Sequence, residues 1–261
     1  MKIIAKKSLG QNFLIDGNII KKIINCANIK DKEILEVGPG TGNLTKEIIK
    51  ENPKKIYLIE KDANLIEILK SKLDYNIKFI HNDILKINEN EISEKILTVF
   101  GNLPYNISTK ILTNWILNIN EKIWFDKLIL MFQKEVADRI IAEHNSKNYG
   151  RLSVMVNWKL NTKKIIDIKP HSFKPIPKVD SSLLVFEPKE EFIQFKNKKS
   201  LETITRIFFS QRRKKIKKSY FQIFKNESVA KDIGLDLDLR PQNINKDTFL
   251  LIAKKYDQLR S

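Results

Sequence analysis

The sequence predicts an α/β protein in which a doubly wound, mostly parallel sheet of seven strands precedes a small all-helical domain. Two observations carry this prediction. Short apolar runs rich in Ile, Leu and Val alternate with helix-length amphipathic segments through most of the chain, a pattern typical of an α/β sheet. After Pro188 only the helical spacing of apolar residues remains.

The predicted elements follow one another as strand, turn and helix. The first unit is a strand at 32–37, a glycine-rich turn and a helix at about 43–50; the second is a strand at 55–60 and a helix at 64–73. Further strands are predicted from apolar runs at 77–80, 96–100, 128–132, 165–168 and 183–186. Because helix-length connections join the first of these strands, we expect parallel pairing with right-handed crossovers.

Length and the change of pattern at Pro188 predict the domains. A chain of 261 residues can bury one principal core and a small appendage. We therefore predict an α/β domain at 1–188 and a helical domain at 189–261.

Charge and composition narrow the class of partner. Lys and Arg total 48 against 31 Asp and Glu, a net charge of +17, which indicates a polyanionic partner. Nucleic acid is favoured over a membrane surface because no basic amphipathic helix has an aromatic face. The single cysteine cannot form an internal disulfide. One cysteine and three histidines also disfavour the usual zinc sites, including that of a zinc deaminase. We find no signal peptide or membrane span and expect a cytoplasmic protein.

A glycine-rich turn follows the first strand at 36–43. Gly38 and Gly40 let the backbone turn sharply and let a ligand approach it closely. A dinucleotide-binding loop has a third glycine where this chain has Asn43, and the lysine of a P-loop is missing. The alternative is a tight turn that binds no ligand.

Acids follow the next two strands. Glu60 ends the second strand, where a carboxylate accepts hydrogen bonds from both ribose hydroxyls of an adenosine. Asp83 follows the third strand and is placed to accept from an adenine amino group. Taken alone, each acid is more simply a surface charge or helix cap. Together with the glycine turn they predict a nucleoside pocket at one edge of the sheet.

The most informative motif is Asn102-Leu103-Pro104-Tyr105, directly after the fourth strand. The exocyclic nitrogen of adenine is a poor nucleophile because its lone pair is delocalised into the ring. Two acceptors on its N–H groups, the Asn102 side chain and the Leu103 carbonyl, would draw it towards tetrahedral geometry. Pro104 restricts Leu103 to an extended conformation, and Tyr105 offers a ring on which a flipped base stacks. The alternative is an ordinary proline turn with a buried tyrosine.

With these motifs identified, the chain resembles the KsgA-type small-subunit ribosomal RNA adenine-N6,N6-dimethyltransferases over nearly its whole length. The matching segments are 7–14, 101–107, 133–139, 149–153 and 173–181. The resemblance implies a Rossmann-like class I methyltransferase fold and S-adenosylmethionine as cofactor. It also implies a partner, the small-subunit ribosomal RNA within a pre-30S particle, and a monomer that needs neither metal nor membrane.

The resemblance also implies roles for individual residues. Asn12 and Leu14 contact the methionine end of the cofactor, and Phe173 packs the target base opposite Tyr105. The other positions expected to bind cofactor are Gly38, Gly40, Glu60, Asp83 and Asn102.

Basic residues form two further candidate sites. Arg212, Arg213, Lys214 and Lys215 form a dense cationic run suited to phosphate binding. Lys6 and Lys7 are placed to line the RNA entrance. A solvated surface is the competing interpretation.

Two alternative functions remain open. The first is a large-subunit (23S) ribosomal RNA adenine-N6 methyltransferase of the antibiotic-resistance type, whose members tend to have Asn where this chain has Asp180. The second is a non-catalytic RNA-binding assembly factor.

Overall fold

A computed structural model describes residues 5–6, 9–119 and 123–260 of the chain. Its main sheet has seven strands in the order β4-β3-β2-β5-β6-β9-β7. The strands are β2 (Glu33–Val37), β3 (Lys55–Glu60), β4 (Ile77–His81), β5 (Leu97–Gly101), β6 (Phe125–Gln133), β7 (Leu160–Ile168) and β9 (Ser181–Pro188). Two short strands, β1 (Phe13–Leu14) and β8 (Phe173–Lys174), form an antiparallel pair of their own. The predicted fold class is confirmed.

Ten α-helices occur among the described residues. They are α1 (Gly17–Ile24), α2 (Asn43–Lys50), α3 (Ala63–Lys72), α4 (Tyr105–Asn118), α5 (Lys134–Ile140), α6 (Arg151–Lys159), α7 (Ser200–Phe209), α8 (Lys217–Phe221), α9 (Ser228–Asp232) and α10 (Lys246–Leu259). No helix in the described part of the chain is long and apolar enough to cross a membrane.

The five strands β4, β3, β2, β5 and β6 pair in parallel, whereas β9 pairs with β6 antiparallel. Neighbouring side chains of β2, such as Ile34 and Leu35, are both fully buried. Because successive side chains point to opposite faces, both faces of the sheet are covered, as expected for a doubly wound fold.

Register brings the carboxyl ends of the parallel strands to one edge. Val37 of β2 pairs with Ile59 of β3 and with Gly101 of β5, and Glu60 pairs with His81 of β4. The loops that follow these strands therefore meet at the same place, which is where ligands bind in open α/β sheets.

Helix α1 illustrates why the crossover helices form where they do. Asp16 caps its first turn by accepting hydrogen bonds from two backbone N–H groups. Its apolar residues recur at helical spacing and are all buried: Ile19, Ile20, Ile23 and Ile24. They pack in one cluster with apolar residues of β2 and β3. The spacing of the isoleucines therefore determines which face of α1 is buried against the sheet.

Strand β7 is longer than the predicted run at 165–168. Its residues alternate between exposed and partly exposed positions along 161–167, and it lies at the end of the sheet order. An edge strand needs no continuous apolar run. The polar residues in the first half of β7 therefore gave no strand signal, and only 165–168 was predicted.

The described residues divide into two compact units. The first comprises those of Met1–Ala137 and Thr162–Pro188, and the second those of Asp138–Asn161 and Lys189–Ser261. The predicted division at 188 and 189 coincides with one boundary, but 138–161 group with the helical unit. The reason lies in contacts between distant residues, since Trp158 of α6 donates a hydrogen bond to the carbonyl of Ile193 at 2.7 Å.

The second unit has an aromatic core of its own. The ring of Phe249 in α10 stacks on Phe209 at 5.2 Å and meets Phe208 edge-on at 5.8 Å, both in α7. No strand occurs in the described residues after Pro188, in agreement with the predicted helical character.

Candidate active site

A crevice opens at the carboxyl edge of the parallel strands. We call it the carboxyl-edge crevice, and it is lined by residues 9–14, 36–41, 43–44, 59–61, 82–85, 102–107 and 131. The structure thus brings together every residue predicted to bind cofactor and four of the five predicted catalytic residues: Asn102, Leu103, Pro104 and Tyr105.

The glycine turn forms the floor of this crevice. Gly38 and Gly40 both have positive φ angles, +71° and +57°, a conformation that side chains disfavour. A Cβ atom on Gly40 would also lie 2.7 Å from Cδ1 of Phe13. The turn therefore needs glycine for its backbone conformation and for the close approach of β1.

Glu60 lies at the wall of the crevice and is 8% exposed. Its Oε1 accepts hydrogen bonds from the backbone N–H groups of Lys61 and Asp62, at 2.8 and 2.9 Å. Burial raises the pKa of this carboxyl, although backbone N–H groups, including that of Gly40, oppose the shift. These contacts hold the carboxylate in place at the lining of the crevice.

Glu36 lies beneath the glycine turn and is 2% exposed. The hydroxyl of Thr45 donates to its Oε2 at 2.7 Å. Burial raises the pKa of Glu36 to about 7, and the nearby charge of Glu60 adds to the rise despite the Thr45 hydrogen bond. Near neutral pH this carboxyl is therefore partly protonated.

Asp83 both lines the crevice and caps the short helix that follows it. Its Oδ1 accepts from the backbone of Leu85 at 3.0 Å, and Lys61 donates to Oδ2 at 2.9 Å. The hydrogen bond from Lys61 lowers the pKa of Asp83. The binding and capping interpretations of this acid are compatible, since each oxygen can accept more than one hydrogen bond.

Residues 9–14 cross the crevice, where two side-chain amides hold them. Asn102 donates through Nδ2 to the carbonyl of Asn12 at 2.7 Å, and Asn43 donates to the carbonyl of Leu14 at 2.8 Å. Asn43 stands where a dinucleotide loop would have its third glycine, so the departure from that motif has a structural role here.

The tetrapeptide 102–105 joins β5 to α4. Pro104 is the N-cap residue of α4, its carbonyl accepts from the backbone of Ser108 at 3.0 Å, and Leu103 is buried. Because the Asn102 amide nitrogen is engaged as a donor, its Oδ1 is the atom presented as an acceptor. The Tyr105 hydroxyl hydrogen-bonds the hydroxyl of Ser181, which fixes the direction of the ring.

Phe173 lies apart from these residues. It is 1% exposed, belongs to the apolar cluster beneath the sheet, and pairs through β8 with Leu14 of β1. It does not line the carboxyl-edge crevice. Its ring is packed in the core, and its contact with a target base stays a prediction.

The predicted RNA-binding lysines near the N-terminus have different outcomes. Lys6 places its ammonium on Asp62 at 2.7 Å, and that carboxylate also accepts from Gln11 at 3.2 Å. Burial opposes ionisation of Asp62, but the hydrogen bonds from Lys6 and Gln11 outweigh it and lower the pKa. Lys7 lies outside the described residues.

The four residues of the cationic run at 212–215 also differ in their contacts. Arg212 donates to the carbonyls of Ser146 and Lys147. Its guanidinium therefore stabilises the backbone at these two residues. Lys215 forms an exposed ion pair with Asp238 at 2.9 Å. Arg213 and Lys214 are exposed and are the members of the run most open to phosphates.

Sequence reasoning missed several residues of the site, among them Gln11, Glu36, Asn43 and Asp62. Asp62 could have been noticed as a second acid two residues after Glu60. For Gln11, Glu36 and Asn43, no pattern in the neighbouring sequence indicates which residues they contact. No group of metal-binding side chains occurs in the described part of the chain.

Residues 4–258 match the family described as "Ribosomal RNA adenine dimethylase". A protein of Pelagibacter ubique named ribosomal RNA small subunit methyltransferase A is 59% identical over 261 residues, covering 100% of both chains. A protein of the same name from Wolbachia sp. subsp. Drosophila simulans is 40% identical, covering 97% of this chain and 94% of its own.

Two solved structures are similar over most of the chain. A dimethyladenosine transferase from Plasmodium falciparum is 26% identical, with a TM-score of 0.78 and coverage of 94% of this chain and 98% of its own. The 23S rRNA methyltransferase ErmE, 23% identical, has a TM-score of 0.68 and coverage of 95% and 100%, a likeness of fold.

Proposed function

The chain belongs to the ribosomal RNA adenine dimethylase family, and from this premise we propose its substrate and the roles of its residues. It is an S-adenosylmethionine-dependent methyltransferase that acts on adenine in small-subunit ribosomal RNA. The proposed targets are N6 atoms of two adjacent adenosines in a hairpin loop near the 3′ end of 16S rRNA, within a pre-30S particle. The product is N6,N6-dimethyladenosine, and the place of action is the cytoplasm.

The carboxyl-edge crevice has the polar groups and the open backbone surface that this cofactor requires. The positive φ of Gly40 leaves a surface without a side chain, against which a nucleoside can lie. Glu60 is the acceptor for the ribose hydroxyls and Asp83 for the adenine amine, while Asn12 and Leu14 hold the methionine end. When bound, S-adenosylmethionine supplies a methyl group attached to a positively charged sulfur.

The observation that carries the reaction is the orientation of Asn102. Its amide nitrogen is held by the Asn12 carbonyl at 2.7 Å, so Oδ1 is preorganised to accept from the target N6–H. The Leu103 carbonyl accepts the second N–H, and together these acceptors concentrate the lone pair on the reacting nitrogen. No strong base is required, because the nitrogen becomes acidic as it is methylated.

Tyr105 positions the flipped adenine by stacking. Its hydroxyl is tied to Ser181, and burial raises the pKa of the phenol, so the ring stays neutral and fixed. Catalysis in this proposal consists of positioning and fixed dipoles. We further propose that the enzyme acts as a monomer and that the second unit, with Arg213 and Lys214, contacts RNA phosphates.

The substrate is tested with labelled S-adenosylmethionine and purified small and large ribosomal subunits that lack the modification. We expect label only in the small subunit, on two adjacent adenosines near the 3′ end. The Asn102→Ala variant supplies the background. Label confined to the large subunit would select the resistance-type function, and no label in either would select a non-catalytic assembly factor.

A further inference from the structure

Asp62 joins two walls of the carboxyl-edge crevice. Its side chain is 4% exposed, and its Oδ1 accepts from the ammonium of Lys6 at 2.7 Å. Its Oδ2 accepts from the side-chain amide of Gln11 at 3.2 Å. Gln11 in turn accepts from the backbone N–H of Lys6 at 2.7 Å. These three residues close a ring of hydrogen bonds, which we call the Asp62 clasp.

The clasp connects the residues expected to hold the two ends of the cofactor. On one side, Gln11 directly precedes Asn12, and both line the crevice. On the other side, the backbone N–H of Asp62 donates to Oε1 of Glu60 at 2.9 Å. The same residue therefore holds the segment at the methionine end and the strand end that carries the ribose acceptor.

The burial of Asp62 distinguishes its ion pair with Lys6 from a fully exposed one. Exposed ion pairs contribute little, because water and salt screen them. Here one partner is almost fully buried, and a buried carboxylate without its charged donor keeps its desolvation penalty. Loss of the clasp therefore loosens the attachment of residues 9–14 to the crevice. This segment is also held by hydrogen bonds from the side-chain amides of Asn43 and Asn102.

We infer that Asp62 is a positioning residue for the cofactor, and that Lys6 acts with it to retain cofactor and product rather than to bind RNA. This inference rests on the proposed cofactor site. It assigns to Lys6 a role different from the RNA contact that its charge predicts. Because the clasp holds Gln11 and Glu60, two residues that line the crevice, its loss is expected to shorten the time for which cofactor and product stay bound.

The test uses Asp62→Asn, Lys6→Met and the double variant of the full chain. Asn retains an oxygen that can cap α3, as Asp62 does by accepting from Asn64, and Met retains the length of the lysine stem. The matched controls are Glu67→Gln and Lys70→Met, which break an exposed ion pair of 3.0 Å on the same helix.

The measured quantity is the dissociation rate of S-adenosylhomocysteine by stopped-flow displacement. We expect each single variant to release it about tenfold faster, because each removes one charge-assisted hydrogen bond. The double variant is expected to be no faster than either single one, since both remove the same interaction. The salt dependence of RNA binding stays unchanged in Lys6→Met.

Three outcomes overturn the inference in distinguishable ways. If the wild-type chain binds no S-adenosylhomocysteine, the proposed cofactor site fails and the clasp fails with it. If the wild type binds it and Glu60→Gln weakens that binding, but Lys6→Met releases it at the wild-type rate, only the clasp is wrong. Destabilisation by Asp62→Asn without any coupling to Lys6 would likewise reduce Asp62 to a cap of α3.

Discussion

Asn102 shows how a single side chain in this protein is prepared for chemistry. Its nitrogen donates to the backbone carbonyl of Asn12, while its oxygen is the acceptor proposed for the substrate. In the proposed mechanism, one amide thus links cofactor binding to activation of the nucleophile. Preorganised dipoles of this kind need no rearrangement when the reaction occurs.

We expect Asn102→Ala to lower kcat by about 100-fold or more while RNA affinity stays near that of the wild type, because the missing acceptor acts on the reacting nitrogen. Single-turnover methylation and a filter-binding assay measure the two quantities. Asn76→Ala is the matched control, since Asn76 also donates to a backbone carbonyl, that of Lys54, at 3.0 Å, away from the crevice. Near-normal turnover in Asn102→Ala would remove the proposed role.

Glu36 makes stability depend on pH. Its pKa is about 7 in the folded protein against 4.5 for an ordinary glutamate, so between these values the folded chain binds more protons than the unfolded one. The free energy of unfolding therefore falls as pH rises through this window, by up to about 3 kcal/mol. Above pH 7 the whole penalty is present.

Glu36→Gln is expected to abolish this penalty, because an amide still accepts from Thr45 and carries no buried charge. The stability of the variant relative to the wild type should rise from pH 4.5 to pH 7 and then level off. Urea unfolding at several pH values measures it, with the exposed Glu67→Gln as control. A constant difference across the window would contradict the buried-carboxyl interpretation.

Among the elements, the strand-turn-helix unit formed by β2, the glycine turn and α2 is the one on which the site depends. The turn must reverse the chain tightly, receive β1 against Gly40 and present its backbone to a ligand. The first two demands are visible in the φ of +57° at Gly40 and in the distance of 2.7 Å to Phe13 that a Cβ would have.

Gly40→Ala is expected to abolish cofactor binding and to lower stability by about 2 kcal/mol, because the new Cβ is both strained and in contact with Phe13. Two other glycines separate these causes. Gly234 has a φ of +63° with nothing near a Cβ, and Gly17 has neither constraint. We expect Gly234→Ala to lower stability by about 1 kcal/mol and Gly17→Ala to be neutral. Equal melting temperatures for all three variants would refute this ordering.

On the scale of the whole molecule, the net charge of +17 is the dominant property. Many of the cations are already paired with acids or bonded to carbonyls, as Lys215 and Arg212 are. Such groups still contribute to the field of the protein, but their neutralisation also disturbs the fold. The residues suited to a test of phosphate binding are therefore the exposed ones.

Neutralising Arg213 and Lys214 to Gln is expected to weaken RNA binding and to lower the slope of log affinity against log salt by about 0.7–0.9 for each phosphate that the variant no longer neutralises. Fluorescence anisotropy over a range of salt concentrations gives this slope. Lys21→Gln with Lys22→Gln on α1 makes the same change of charge at exposed positions of the first unit. If both pairs alter the slope equally, the run at 212–215 is only part of a general surface charge.

The sequence by itself determined the α/β class, the strands and helices of the first two units and the placement of residues 102–105 directly after the fourth strand. These features are local, since strand and helix periods, glycine turns and the order of Asn, Leu, Pro and Tyr are written in consecutive residues. The meeting of Gly38, Glu60, Asp83 and Asn102 in one crevice also followed, because parallel strands bring their carboxyl ends to a common edge.

Only the tertiary structure decided which distant residues become partners. Asp62 with Lys6, Asn43 with the carbonyl of Leu14, the burial of Phe173 and the grouping of 138–161 with the helical unit all depend on contacts between separate segments. A charge or an amide in a sequence states what it can bind but not what lies within hydrogen-bonding distance of it. Folding fixes that distance, and with it the pairing of the Lys6 ammonium with Asp62.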